Sequence, residues 1–186
     1  MTPFYTTTGD DGYTGLLGEG RVAKYSPRIE AVGDIDEATA ALGVARSTAK
    51  SDQTKQLLIH AQRDLYALMA EVSATTENAS RFRTIDKSKV NWLEEQTDAV
   101  SQSVNMPKEF IIAGDSPAGA ALSLARTIVR RAERRVAQLL HLGEIENSEL
   151  LTYLNRLSSL CFVLELLENH AAGFSDPTLA KGINPT

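Results

Sequence analysis

The chain has 186 residues, which is the size expected of one domain with one hydrophobic core. Its 42% apolar and 23% charged residues are ordinary for a globular protein, so the composition excludes disorder over most of the length. The formal net charge is −5. Because affinity for nucleic acid comes from clustered Lys and Arg, this acidic balance argues against nucleic acid as a main partner.

The N-terminus and the single cysteine indicate the compartment. No basic region followed by an apolar run opens the chain, and no stretch approaches the roughly 20 apolar residues of a membrane span. Cys161 lies in an apolar stretch and cannot form an intramolecular disulfide, so we expect a buried thiol. We therefore expect a cytoplasmic protein that makes no contact with a membrane.

The pattern along the chain predicts an N-terminal arm followed by helices. Residues 1–27 are rich in Thr, Gly and Asp and show neither the helical nor the strand period, so we expect an extended arm. From Arg28 onward, apolar residues recur at helical spacing. We predict helices at about 28–47, 56–72 and 117–142, one from Asp86 or Ser88 to about Asn105, and one from Asn147 or Ser148 to Gly173. Residues 174–186 are predicted to be a tail.

This order predicts an all-α protein, a single domain built as a five-helix bundle over residues 28–173. The last helix is unusual because its leucines spread around most of its circumference. Such a helix is buried on several sides, either at the centre of the bundle or at a contact between subunits.

The arm contains the stretch Thr6-Thr7-Thr8-Gly9-Asp10-Asp11-Gly12-Tyr13-Thr14-Gly15. Glycines let backbone N–H groups turn toward an anion, and the hydroxyl groups are further donors, so the stretch suits a polyphosphate. Lys24 and Arg28 follow and add positive charge. The alternative is a cluster of turns without a ligand. A P-loop is excluded, because Arg21 and Val22 stand where that motif needs Lys and Ser or Thr.

The fourth predicted helix contains five arginines within ten residues, 126–135. At 100° per residue, Arg126, Arg130, Glu133 and Arg134 lie within one third of the circumference and so form one face. Arginine at this density favours phosphates or carboxylates. The alternative is a solvated face on which Glu133 pairs with its neighbours.

Polar side chains in two other helices need partners. Asp34, Asp36 and Glu37 are predicted to face inward from the first helix, and an arginine of the fourth helix is the candidate cation. Asn155 interrupts the apolar fifth helix, so we expect it to form a specific hydrogen bond.

Four stretches in this order carry a resemblance: 6–15, Arg28 with Gly33 and 36–37, 126–135, and Tyr153-Leu154-Asn155-Arg156-Leu157. Together they resemble the PduO-type ATP:cob(I)alamin adenosyltransferases over nearly the whole chain. The resemblance implies a homotrimer of five-helix bundles with active sites between subunits and the arm closing over ATP. The implied reaction is attack by the Co(I) of a reduced corrinoid on C5′ of ATP, which gives adenosylcobalamin and triphosphate.

The resemblance also implies roles for individual residues. Arg126 pairs with Asp36 and shapes the corrinoid side, Phe110 lies beneath the corrin, and Arg130 acts on the phosphates. No metal ligand is assigned to the chain, because Mg²⁺ is expected between phosphate oxygens. A flavin-type reductase is the expected electron donor. ATP is expected to contact Thr6, Thr7, Thr8, Gly9, Thr14, Gly15, Lys24, Arg28, Arg130, Arg131, Glu133, Arg134 and Asn155.

Two other classes of protein compete with this interpretation. A nucleotide-binding regulatory bundle without turnover would use the same arm and arginines but would not need a second pocket containing an aromatic residue. A helical RNA-binding module would use the arginine face, but it would need basic charge beyond one helix.

Overall fold

The computed structural model describes residues 5 and 7–181. Its helices are α1 (Pro27–Thr48), α2 (Asp52–Ser73), α3 (Ala79–Phe82), α4 (Lys87–Ser101), α5 (Pro117–His141) and α6 (Glu149–Ala171). The five long helices are those predicted from the sequence, although α2 begins four residues earlier than expected. The single turn of α3 was not predicted.

Capping residues mark where the later helices begin and end. The Asp86 carboxylate accepts hydrogen bonds from the backbone N–H groups two and three residues later, and so begins α4. Ser116 Oγ accepts from the N–H three residues later, and Pro117 occupies the first position of α5. Gly143 and Gly173 follow α5 and α6 with φ angles of +69° and +97°, which residues other than glycine rarely adopt.

The α6 helix lies at the centre of the bundle. It packs against α5 and α4 and touches α2, while α1 covers both α5 and α2. Its side chains are buried on several sides, so the central position predicted as one of two alternatives is found within one protomer. By length and a mean hydropathy of 1.4, α6 could cross a membrane, which the sequence analysis did not anticipate. Its burial in the core accounts for this apolar character.

The arm differs from the expectation of an extended segment without a period. Residues Tyr13–Gly15 (β1) and Arg21–Ala23 (β2) form a small antiparallel hairpin. The hairpin is docked on the end of α2, where the Leu17 N–H donates to the Ser73 carbonyl (2.9 Å). Gly18 has a φ of +146°, and a Cβ on it would lie 2.4 Å from Thr75 Oγ1. Only glycine therefore lets the hairpin approach α2 this closely.

The predicted tail is also partly structured. Leu179 pairs with Ile111 in an isolated antiparallel bridge, so the segment after α6 returns to the loop that precedes α5. The sequence analysis missed this contact because it joins residues far apart in the chain.

Arg28 has a structural role in place of the ATP contact expected from the sequence. It is 8% exposed, and Nη1 donates to the carbonyl oxygens of Val72 (3.1 Å) and Ala74 (2.7 Å). Its Nη2 and Nε donate to the carbonyl and carboxylate of Glu144, at 2.6 and 3.2 Å. These bonds tie α1 to the end of α2 and to the α5–α6 turn, and they direct the guanidinium at protein acceptors.

We predict that Arg28→Ala destabilises the fold by about 1.5–3 kcal/mol, because buried carbonyl oxygens lose a charged donor. Urea unfolding of the ligand-free protein measures this loss. Arg63→Ala, at an exposed position on α2, is the matched control and should stay within about 0.5 kcal/mol of wild type. Equal stability of the two variants would contradict the structural role of Arg28.

Candidate active site

The hairpin forms a concave surface that gathers most of the polar residues predicted for the arm. Its volume is about 310 Å³, and it opens to solvent. Thr7 lies beside it as an exposed residue in a turn, and Thr6 lies outside the described residues. The cavity is lined by Thr8, Gly9, Asp10, Tyr13, Thr14, Gly15, Arg21 and Lys24.

Arg21 organises this arm cavity. Its guanidinium donates to both oxygens of the Asp11 carboxylate (2.8 and 2.7 Å) and to the carbonyls of Thr8 (2.5 Å) and Tyr13 (3.1 Å). The hydrogen bond from Arg21 lowers the pKa of Asp11. Lys24 lies over the backbone of Gly9, with Nζ 3.0 Å from the position of a Cβ there. This role of Arg21 was not predicted, because in the sequence Arg21 stands out only as a departure from a P-loop.

Two arginines of α5 turn toward α1. Arg131 Nε donates to Asp34 Oδ1 (3.0 Å), and Arg131 also pairs with Glu37, whose hydrogen bond raises the pKa of Arg131. Arg135 reaches Asp34 and Glu30, both at 3.4 Å. The prediction that acids of α1 find arginines of α5 is thus confirmed for Asp34 and Glu37. Arg131 was expected to bind ATP, but here its guanidinium is engaged by carboxylates.

The predicted pair of Asp36 and Arg126 is not formed within the described part of one protomer. The expectation that Asp36 and Glu37 face inward is wrong, because both are exposed and Asp34 alone of the three is largely covered. Arg126 is half-buried, and its Nε lacks a hydrogen-bond partner among the described residues.

Arg130 and Arg134 form the exposed part of the arginine face. Arg134 Nη1 donates to the carbonyl of Arg130 (2.9 Å). Within residues 5 and 7–181, the side chain of Arg130 has neither a hydrogen bond nor an ion pair. Its five N–H donors can therefore be offered to a ligand.

A chain of polar contacts joins α5, α6 and α4. Asn155 Nδ2 donates to Glu133 (2.8 Å), which confirms the prediction of a specific hydrogen bond for this residue. Arg156 donates to Asn155 Oδ1 and to Glu94, both at 2.7 Å, and the bond lowers the pKa of Glu94. These contacts fix the orientation of the Asn155 amide and the Glu133 carboxylate beside the exposed arginines.

A second cavity of about 390 Å³ lies between the loop before α5 and the helices α5 and α6. It brings together Phe110, which is 88% exposed, and Arg126, the two residues expected on the corrinoid side. Phe162 and the 1% exposed Glu165 complete its inner wall, and both were missed because they resemble ordinary positions of a core helix. Burial raises the pKa of Glu165, against the opposing effects of a Ser123 hydrogen bond and the Arg126 charge.

The part of the chain that the structure describes contains neither a metal-binding cluster nor a reactive thiol. There, no three His, Cys, Asp or Glu side chains are grouped so that they could hold a metal ion. Cys161 is fully buried, as predicted, and burial raises the pKa of its thiol to about 12. Such a thiol is not a nucleophile at neutral pH.

Comparisons with known proteins agree with this geometry. Residues 4–168 match the family described as Cobalamin adenosyltransferase. The chain is 38% identical to the corrinoid adenosyltransferase PduO of Citrobacter freundii, over 90% of this chain and only 50% of that protein. It is also 38% identical to the corrinoid adenosyltransferase of Bacillus subtilis, over 92% of this chain and 89% of that one.

Solved structures extend the likeness to three dimensions. A variant of the PduO-type ATP:corrinoid adenosyltransferase from Lactobacillus reuteri, complexed with cobalamin and ATP, superposes with a TM-score of 0.86 at 30% identity. The match covers 97% of each chain. The chain therefore belongs to the cobalamin adenosyltransferase family. The resemblance to its PduO-type members, drawn from the sequence, is confirmed.

The buried carboxyl of Glu165 predicts a pH dependence of stability. Its folded-state pKa is raised above the ordinary 4.5, so its ionisation costs no stability below pH 4.5 and destabilises the fold as pH rises through the folded value. We predict that Glu165→Gln is more stable than wild type at pH 8, with the difference shrinking toward pH 5. Unfolding midpoints at both pH values measure this.

The exposed Glu95→Gln controls for the loss of one negative charge. A Glu165→Gln variant that is less stable than wild type at pH 8 would show instead that the carboxylate is held by its charge.

Proposed function

We propose that the chain transfers the 5′-deoxyadenosyl group of ATP to the Co(I) of a reduced corrinoid. The electron pair of Co(I) forms the cobalt–carbon bond, the bond from C5′ to oxygen breaks, and its electron pair leaves with triphosphate. One observation carries the proposal. The chain has the fold of this family and carries two separate sites. One has donors for a polyphosphate that are not bonded to other described residues. The other is a largely apolar cavity lined by an aromatic residue and an arginine.

In this proposal ATP binds between the arm and the exposed arginines of α5. Lys24 and the Thr and Gly residues of 6–15 enclose the phosphates from one side, and Arg130 and Arg134 neutralise them from the other. Glu133 and Asn155, held by their mutual hydrogen bond, face the nucleoside. Arg28 and Arg131 support the scaffold. Mg²⁺ would be held by the triphosphate oxygens, which suits a chain without a carboxylate cluster in its described part.

The chemistry places few demands on the protein. A Co(I) centre is already a strong nucleophile, so no general base has to activate it. The leaving triphosphate gains negative charge in the transition state, and fixed cations stabilise that charge. The guanidinium of Arg130 is suited to this task because no carboxylate among the described residues pairs with it.

A homotrimer would complete the site. In it, the arm of one copy covers the arginines of the next, and Asp36 of one copy pairs with Arg126 of another. The partnerless Nε of Arg126 and the exposure of Asp36 support this arrangement. Val44 on α1 and Leu124 on α5, exposed by 57% and 59%, are apolar surface that an interface would cover.

Phe110 is proposed to lie beneath the corrin. There it would exclude the lower base or water and leave Co(II) four-coordinate, which is easier to reduce. A flavin-type reductase in a reducing cytoplasm would supply the electron. The ring is free to meet a ligand, since it is 88% exposed at the edge of the apolar cavity.

The assay that tests the function combines chemically reduced cobalamin with ATP and follows the absorbance change on cobalt–carbon bond formation. We predict that Arg130→Ala lowers kcat/KM for ATP by about 10 to 150-fold, because a charge-assisted contact to phosphate is worth ~1.5–3 kcal/mol. Its unfolding midpoint should stay near wild type, since the side chain is exposed.

Arg63→Ala serves as the control and should retain the wild-type kcat/KM. Wild-type kinetics in Arg130→Ala would favour a solvated arginine face. Nucleotide binding without product formation by the wild-type protein would favour a regulatory bundle.

A further inference from the structure

The segment after α6 returns to the loop that holds Phe110. The N–H of Ala180 donates to the carbonyl of Phe110, and the N–H of Ile112 donates to the carbonyl of Thr178, both at 2.7 Å. These two bonds flank the antiparallel bridge between Ile111 and Leu179. The backbone on both sides of the Phe110 ring position is thus paired with the C-terminal segment.

Two hydrogen bonds between Thr178 and Asp115, called the lock below, fix the register of this pairing. Thr178 donates its backbone N–H to Asp115 Oδ2 (3.0 Å) and its hydroxyl to Asp115 Oδ1 (2.6 Å). Asp115 adjoins Ser116, which begins α5 and donates its hydroxyl to Asn169 of α6 at 2.6 Å. The lock is therefore anchored to the rigid ends of two core helices.

Among the described residues, the loop forms no hydrogen bonds with any part of the chain other than the C-terminal segment. For residues 104–114, the two backbone bonds to the C-terminal segment are the only hydrogen bonds in the described part of the chain. Phe110 is 88% exposed, so packing of its ring does not hold it either. A backbone without other hydrogen-bond partners samples many conformations, so these two bonds restrict the loop.

We propose that residues 176–180 act as a positioning segment that holds Phe110 in place for the corrinoid, with Thr178 and Asp115 as its lock. The proposal rests on the proposed function, in which the Phe110 ring lies beneath the corrin. The segment touches no reacting atom. It acts by pairing the backbone around Phe110 in a short two-stranded ladder, which restricts where the ring can lie.

The position of the segment predicts a selective defect. Arg130 lies thirteen residues into α5 from Pro117, a distance of about 20 Å along the helix. Loss of the lock should therefore affect the corrinoid and leave the phosphate contacts unchanged. The four bonds that hold the segment are exposed, so each is individually modest. We therefore expect the Phe110 ring to leave its position beneath the corrin only part of the time.

The test uses the full chain with Thr178→Val, which removes the hydroxyl donor and keeps the size of the side chain. We predict about a tenfold rise in KM for the corrinoid, equivalent to ~1.4 kcal/mol. Electron paramagnetic resonance of Co(II) cobalamin with ATP should show a smaller four-coordinate fraction. The KM for ATP and the unfolding midpoint should not change. A chain ending at residue 175 should show the larger defect of the same kind.

Controls separate positioning from general damage. Thr178→Ser keeps the hydroxyl donor and should restore the wild-type spectrum, and Lys181→Ala, beside the segment, should have no effect. In a Phe110→Ala background, Thr178→Val should cause no further loss, because the lock acts through the ring.

Several outcomes would overturn the positioning role. These are an unchanged spectrum and corrinoid KM in both Thr178→Val and the shortened chain, an equal rise of both KM values, or a full additional loss in the Phe110→Ala background. Failure of the wild-type protein to form adenosylcobalamin would overturn the proposed function itself.

Discussion

The structure depends on the burial of α6. A helix that is apolar on several sides must be covered on several sides, and α5, α4 and α2 pack against α6 so that this surface leaves water, while α1 packs on α5 and α2. The polar groups of α6 fasten the surrounding elements to it. Glu168 accepts from the N–H groups of Lys50 and Ser51 at the start of α2, and Asn169 accepts from Ser116 at the start of α5. Helix positions, and with them the positions of the functional side chains, follow from this one constraint.

The α5 helix sets the spacing between the two arginines of the proposed site. Arg126 borders the cavity beside Phe110, and Arg130 follows one turn later on the exposed face, about 6 Å further along the helix. On the proposed mechanism, the corrinoid and the triphosphate are held on consecutive turns of one rigid helix. That spacing would bring cobalt and C5′ together without a moving catalytic residue. The arm then has only to close the phosphate side.

The sequence predicted what depends on local periodicity. The five long helices were recognised, as was Asp86 as one of two candidate starts of α4, because each signal lies within a few neighbouring residues. Contacts between distant residues were missed: the hairpin fixed by Arg21, the bridge from Leu179 to Ile111, and the burial of Arg28 against carbonyls of α2. The prediction that both Asp34 and Asp36 face inward was wrong for Asp36, because two residues along a helix differ by 200° and cannot both point toward α5.

In the proposed trimer, each active site combines the arm of one copy with the arginines of another. Lys24→Ala and Arg130→Ala should each lose most of the activity when ATP is limiting, by about 10-fold or more. Mixed assemblies of the two variants should recover activity, because random assortment leaves about one quarter of shared sites without either defect. Turnover in mixtures formed by co-expression or by joint refolding measures this directly. Recovered activity is the predicted result, and a mixture as inactive as its components would contradict a site shared between copies.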